Sequence, residues 1–179
     1  MNDKIKLLIV DDEIKFLESI AKRLELRGFA VTKAANGTEA LEAAETGGFD
    51  LALVDLKMPG IDGHEVLKTL KEEHEFLEVL ILTGHGSIDS AVECTKLGAF
   101  GYLSKPYELE KLLEVLKQAY ENRLKKKFAS NQKKMIAIEA VSTQMSPEKI
   151  LEESQKQMLE KPTLLDILRE LRGLDDERK

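Results

Sequence analysis

The sequence predicts a doubly wound α/β fold, on three observations. Short apolar runs recur near residues 5–10, 29–33, 50–55, 78–83 and 100–103. Stretches with helical apolar spacing separate them. Reactive groups stand at the ends of four of the runs: Asp11 and Asp12 after Lys6-Leu7-Leu8-Ile9-Val10, Asp55 after Leu51-Ala52-Leu53-Val54, Thr83 after Val79-Leu80-Ile81-Leu82, and Lys105 after Gly101-Tyr102-Leu103-Ser104. In an open parallel sheet the carboxyl ends of the strands share one crevice, so residues scattered along the chain can converge there. Three carboxylates, a hydroxyl and an ammonium in such a crevice suit a divalent metal and a phosphoryl group.

The first and third runs are rich in Leu, Ile and Val with little alternation, which is the pattern of parallel strands buried on both faces. Ile14, Leu17, Ile20, Ala21 and Leu24 mark the first helix, and Ala40, Leu41 and Ala44 the second. The breakers fall between them. Arg27-Gly28 closes the first helix, Asn36-Gly37-Thr38 opens the second and Thr46-Gly47-Gly48 closes it. Gly60-Ile61-Asp62-Gly63 precedes a third helix, and Gly86-Ser87 a fourth that ends near Leu97-Gly98. Regular alternation over the first 120 residues points to one doubly wound sheet.

Behind Pro106 a fifth helix begins at Tyr107, with Leu109, Leu112, Leu113, Leu116 and Tyr120 as its stripe. No Gly or Pro intervenes before Pro147, so it is expected to run long, to about residue 140, with Lys125-Lys126-Lys127 on its solvated face. Ser146-Pro147-Glu148 is a helix-start signal, followed by Ile150, Leu151, Met158 and Leu159. Leu164, Leu165, Ile167, Leu168 and Leu171 are spaced for one more amphipathic helix that ends at Gly173. The expected organisation is one α/β domain over residues 1–125 and a helical extension over 126–179.

The 179 residues and 42% apolar content allow a packed domain plus an appendage. A net charge of −6 argues against a protein built to grip a polyanion. The last 50 residues lack a recognition helix with clustered base-reading side chains, and nucleic acid is not the expected partner. Cys94 is the single cysteine, which excludes an intrachain disulfide, and it reads as a small buried hydrophobe. The start lacks a signal-like pattern and no apolar run reaches the ~18 residues of a membrane span, so a cytoplasmic, non-membrane setting is expected.

Asp55 is the strongest candidate for a reacting group, because a carboxylate at a central strand end can attack a phosphoryl donor and form an acyl phosphate. Mg²⁺ held by Asp11, Asp12 and Asp55, with the main-chain carbonyl near Lys57, would lower the repulsion between the two anions. Lys105 can pair with a carboxylate or phosphoryl oxygen, and the Thr83 hydroxyl can hydrogen-bond one. Ser104-Lys105-Pro106 suggests a cis bond before the proline. Blander roles exist for each residue alone: a helix cap for Asp11-Asp12 or Thr83, a turn residue for Asp55, a solvated charge for Lys105.

These segments resemble the receiver domain of bacterial two-component response regulators. The likeness covers about residues 4 to 125. It rests on Leu8-Ile9-Val10-Asp11-Asp12-Glu13, Val54-Asp55-Leu56-Lys57-Met58-Pro59-Gly60-Ile61-Asp62-Gly63, Leu82-Thr83-Gly84-His85-Gly86 and Gly101-Tyr102-Leu103-Ser104-Lys105-Pro106-Tyr107. The resemblance implies a flavodoxin-like five-stranded sheet in the order 2-1-3-4-5, Asp55 as phosphoacceptor, and Mg²⁺ among Asp11, Asp12 and Asp55. It also implies Thr83 and Lys105 as phosphoryl-sensing groups, Tyr102 as the aromatic switch, and a sensor histidine kinase or phosphotransfer protein as donor. In that family the positions two after the phosphoacceptor and two after the threonine flank the path of hydrolytic water, which by resemblance places Lys57 and His85 there. His64 and His74 receive no metal role.

The expected function is a phosphorylation switch rather than an enzyme, acting through a downstream protein or a homodimer, with Leu113, Leu116, Tyr120 and Leu124 as part of a helix-pair seam. Two alternatives stay open: a receiver-like scaffold independent of phosphate, and a phosphohydrolase of haloacid-dehalogenase type. The latter would want an acid where Lys57 stands.

Overall fold

The computed structural model describes residues 4–84, 86–143 and 145–160. The elements run β1 (Lys6–Val10), α1 (Ile14–Glu25), β2 (Ala30–Ala34), α2 (Gly37–Gly47), β3 (Leu51–Val54), α3 (Gly63–Glu73), β4 (Glu78–Thr83), α4 (Ile88–Lys96), β5 (Gly101–Ser104), α5 (Leu109–Thr143) and α6 (Pro147–Glu160). The five strands form one all-parallel sheet in the order β2-β1-β3-β4-β5. This is the expected doubly wound, flavodoxin-like arrangement.

The two-faced burial that makes the central strands read as unbroken apolar runs follows from side-chain alternation. Leu8, Val10, Ala52, Val54, Val79 and Ile81 point to a core completed by Ala40 and Ala44 of α2, Val66, Leu67 and Leu70 of α3, and Cys94 of α4. Their neighbours Leu7, Ile9, Leu51, Leu53, Leu80 and Leu82 point the other way, onto Leu17, Ile20 and Leu24 of α1 and Leu112, Leu116 and Ala119 of α5. Cys94 is fully buried, as expected of a small hydrophobe, and burial pushes its thiol pKa up.

Local chemistry sets the helix ends. Asn36 caps α2 by accepting from the Glu39 amide at 2.9 Å, and Glu39 reaches back to the Ala35 amide at 2.7 Å. Asp62 caps α3, and Ser87 with Ser90 makes a reciprocal capping box at α4. The first helix departs from expectation at Ile14, which is 55% exposed although it is in phase with the buried stripe. It opens the first turn, and burial along the stripe begins only at Leu17.

The chain divides into two compact units, residues 1–127 and 128–179. In the first, α5 covers the sheet with Leu109, Leu112 and Leu116, while Leu113 and Tyr120 are only partly buried and Leu124 is 46% exposed. Arg123 and Asn122 instead tie the helix to the N-terminal ends of the strands. Arg123 pairs with Asp50 at 2.7 Å, and the Glu78 carboxylate accepts from Asn122 at 2.9 Å and pairs with Lys126 at 2.6 Å. In the second unit α6 opens at Pro147, as Ser146-Pro147-Glu148 predicts, and Ile150 is buried. The amphipathic stretch from Leu164 to Leu171 lies outside the described residues. No described helix is long and apolar enough to cross a membrane.

Candidate functional site

The four strand ends meet as the topology requires. Asp11 follows β1, Asp55 follows β3, Thr83 ends β4 and Lys105 follows β5. The register continues into the site: the Asp55 amide donates to the Val10 carbonyl at 2.9 Å, the Asp11 amide to Ala34 at 3.1 Å, and the Lys105 amide to Thr83 at 2.8 Å. Main-chain hydrogen bonds thus fix where each side chain begins.

Lys105 is the hub. Its ammonium lies 2.6 Å from Asp11 Oδ2, 3.6 Å from Glu13 Oε1 and 3.9 Å from Asp55 Oδ1. Only 15% of its side chain is exposed, so it is not a solvated charge. The Lys105-Pro106 bond is cis, as Ser104-Lys105-Pro106 suggests. Asp11 and Asp55 are buried, and Asp12 beside them is exposed. Thr83 is fully buried and hydrogen-bonds to the Asp55 carboxylate.

No side chain caps α1, and the Asp11 carboxylate instead accepts from the Glu13 amide at 3.0 Å. The cap of α4 is Ser87 rather than Thr83. Asp55 does have a turn role, accepting from the Lys57 amide at 3.1 Å. Lys57 itself is exposed.

Burial raises the pKa of both inner carboxyls. For Asp11, hydrogen bonding and attraction to Lys105 oppose the desolvation; for Asp55, Lys105, Thr83 and the Lys57 amide oppose it while Asp12 adds repulsion. Two buried acids held by one ammonium and adjoining a third acid carry surplus negative charge that a cation would relieve. Among the described residues no three His, Cys, Asp or Glu side chains close on a common metal position. An ion such as Mg²⁺, which keeps several waters and takes one or two carboxylates, needs no such cage. The hard oxygen donors present fit that ion.

The backbone beneath the site is tight. A Cβ at Gly63 would strike the Asp55 carbonyl and the Leu56 Cα, so the entry to α3 can pass under the Asp55 loop only as glycine. Tyr102 is partly buried, its hydroxyl 3.1 Å from Ser90 Oγ on α4, and a Cβ at Gly86 would collide with that hydroxyl. His85 lies outside the described residues. Sequence reasoning missed Ser90 and Phe16. The Phe16 ring centroid is 3.9 Å from the Lys105 ammonium, and Phe16 also packs edge-on to Tyr107.

Residues 7–117 match the response regulator receiver domain family. The chain belongs to that family. Among relatives of this receiver, the uncharacterized transcriptional regulatory protein YkoG of Bacillus subtilis is 40% identical over 117 residues, 65% of this chain and 51% of that one. The DNA-binding transcriptional regulator NtrC of Escherichia coli is 36% identical over 111 residues, 62% of this chain and 24% of that one. The chain therefore spans about half or less of the length of these curated relatives. Among solved structures, a CheY-like receiver domain protein from Methanospirillum hungatei superposes with a TM-score of 0.67 at 32% identity, over 69% of this chain and 99% of that one.

Proposed function

We propose that this receiver domain accepts a phosphoryl group on Asp55 and passes the change on through protein contacts. The convergence of Asp11, Asp55, Thr83 and Lys105 in one crevice carries the reading. The receiver unit would be residues 1–125, with 126–179 as a helical extension.

In the proposed transfer an Asp55 carboxylate oxygen attacks the phosphorus of a phosphohistidine on a sensor kinase or phosphotransfer protein. A P–O bond forms, the P–N bond breaks, and the imidazole nitrogen keeps the electron pair. Mg²⁺ bound by Asp11, Asp12, Asp55 and the Lys57 main-chain carbonyl would supply charge neutralisation between carboxylate and phosphoryl group. Lys105, 3.9 Å from Asp55, is within reach of a phosphoryl oxygen placed on that carboxylate. Thr83 already addresses the same carboxylate, and in the modified state its hydroxyl would turn to a phosphoryl oxygen. That movement opens room beside Tyr102, whose hydroxyl would leave Ser90 and alter the α4–β5–α5 face.

The expected partners are the phosphodonor, a downstream protein and a second copy of the chain. The family membership and its transcriptional-regulator relatives favour a signalling role over catalysis of a separate reaction. An exposed lysine at position 57 weakens the phosphohydrolase alternative. Protein incubated with Mg²⁺ and acetyl phosphate should gain one phosphoryl group by intact mass, and Asp55→Asn should gain none. An equal gain in the variant would refute the assignment.

A further inference from the structure

Lys105 has a flexible four-carbon stem, and one ion pair does not fix where its ammonium sits. Three of its neighbours are carboxylates: Asp11 at 2.6 Å, Glu13 at 3.6 Å and Asp55 at 3.9 Å. The fourth is the face of Phe16, with the ammonium 3.9 Å from the ring centroid. That is well inside the roughly 6 Å range in which an aromatic quadrupole attracts a cation, and the attraction grows as water is removed. Lys105 is 15% exposed, so much of its hydration is gone.

Phe16 is itself oriented. It lies in the first turn of α1, and Tyr107, just past the cis Lys105-Pro106 bond, meets it at 82° with centroids 6.3 Å apart. Edge-to-face packing of this kind favours one ring orientation. The lysine and the aromatic that orients its platform therefore come from the loop after β5, while the platform comes from α1, on the sheet face that α1 and α5 share.

The ring differs from Asp11 and Asp55 in one respect that matters, and from Glu13, whose side chain is 71% exposed, in being partly buried beside the lysine. Asp11 and Asp55 are the groups that a divalent cation or a phosphoryl group would engage, which weakens their hold on Lys105. A π face competes for neither. We propose that Phe16 is a positioning residue whose ring holds the Lys105 ammonium at the mouth of the crevice, where it can meet a phosphoryl group on Asp55. The inference rests on the phosphoacceptor reading above.

A fluorination series separates electrostatics from packing, since fluorines drain the ring's negative face with little change of shape. The full-length chain is prepared with phenylalanine, 4-fluorophenylalanine and 3,4,5-trifluorophenylalanine at position 16, and as Phe16→Leu. Two quantities are read: the Lys105 ε-methylene proton shifts without ligand, and beryllofluoride affinity with Mg²⁺. The unmodified chain should have ε-methylene protons upfield of the ordinary lysine position, relaxing toward it with each fluorine. Beryllofluoride affinity should fall progressively, about two- to fivefold by the trifluoro ring, with Phe16→Leu at least as weak.

Ordinary ε-methylene shifts in the unmodified chain would overturn the proposal, and so would an affinity that stays flat across the series while the unmodified chain binds the mimic. The latter would leave the phosphoacceptor reading intact. Failure of the unmodified chain to bind the mimic in an Asp55-dependent way would overturn both.

Discussion

Asp55 and Asp11 are held in a state that disfavours their own charge, because burial outweighs the help of Lys105. A carboxyl whose folded-state pKa is raised makes the folded chain bind protons more readily than the unfolded one. Its ionisation then costs stability in full above the raised value, and the cost vanishes below the ordinary value of 3.8. Asp55→Asn should accordingly be more stable than the wild type at neutral pH. The gap should close as pH falls through the raised value toward the ordinary one, which thermal melts across that range would measure. A gap that widens on acidification would contradict the burial argument. Gly86 acts at the same scale. Since a Cβ there meets the Tyr102 hydroxyl, Gly86→Ala should displace that ring from Ser90 without phosphorylation, seen as a changed Tyr102 ring spectrum by NMR.

At the scale of elements, α5 is fastened at the end of the sheet remote from the site. Glu78 begins β4 and is 1% exposed, yet its carboxylate serves Asn122, Lys126 and, at 3.6 Å, Lys71. Burial pushes the Lys71 pKa down against the pull of Glu78, and its ammonium also donates to the Leu77 carbonyl. Glu78 is buried and the Lys71 side chain is only 16% exposed, while that of Lys126 is 45% exposed, so removing the Glu78 carboxylate leaves chiefly the Lys71 ammonium uncompensated. Glu78→Ala should therefore cost about 3–5 kcal/mol in a denaturant titration, and Glu78→Gln less. None of this was legible beforehand. Glu78 read only as the first residue of an apolar run, and Lys126 as one of three lysines on a solvated face. Many element boundaries were legible, because Asn36, Asp62 and Ser87 cap the helices they precede and Gly28, Gly48 and Gly98 follow three helix ends, whereas α3 closes on its C-cap His74 with no glycine and α5 begins at Leu109 rather than at the expected Tyr107. Ile14 departs from expectation because helical periodicity gives a face but not where along the helix burial begins.

At the scale of the molecule, a doubly wound parallel sheet and the meeting of four strand ends could be anticipated from the alternation of elements, whereas the strand order β2-β1-β3-β4-β5 was legible only through the resemblance to receiver domains. Parallel strands buried on two faces leave unbroken apolar runs, and their carboxyl ends share a crevice whatever the loops contain. Which atoms touch inside that crevice could not be anticipated. Asp11 and Lys105 are 94 positions apart, and the Phe16 ring that faces the lysine carries no signal in the sequence, since it falls beside the apolar stripe of the first helix rather than in it. Family membership, the fold and the clustered side chains together favour phosphorylation at Asp55. The most direct test is to treat the acetyl-phosphate-modified chain with borohydride, which reduces an acyl phosphate to the alcohol, and then to map the peptides. Homoserine is expected at position 55 and nowhere else. An unreduced position 55, or reduction at Asp11 or Asp12 instead, would contradict it.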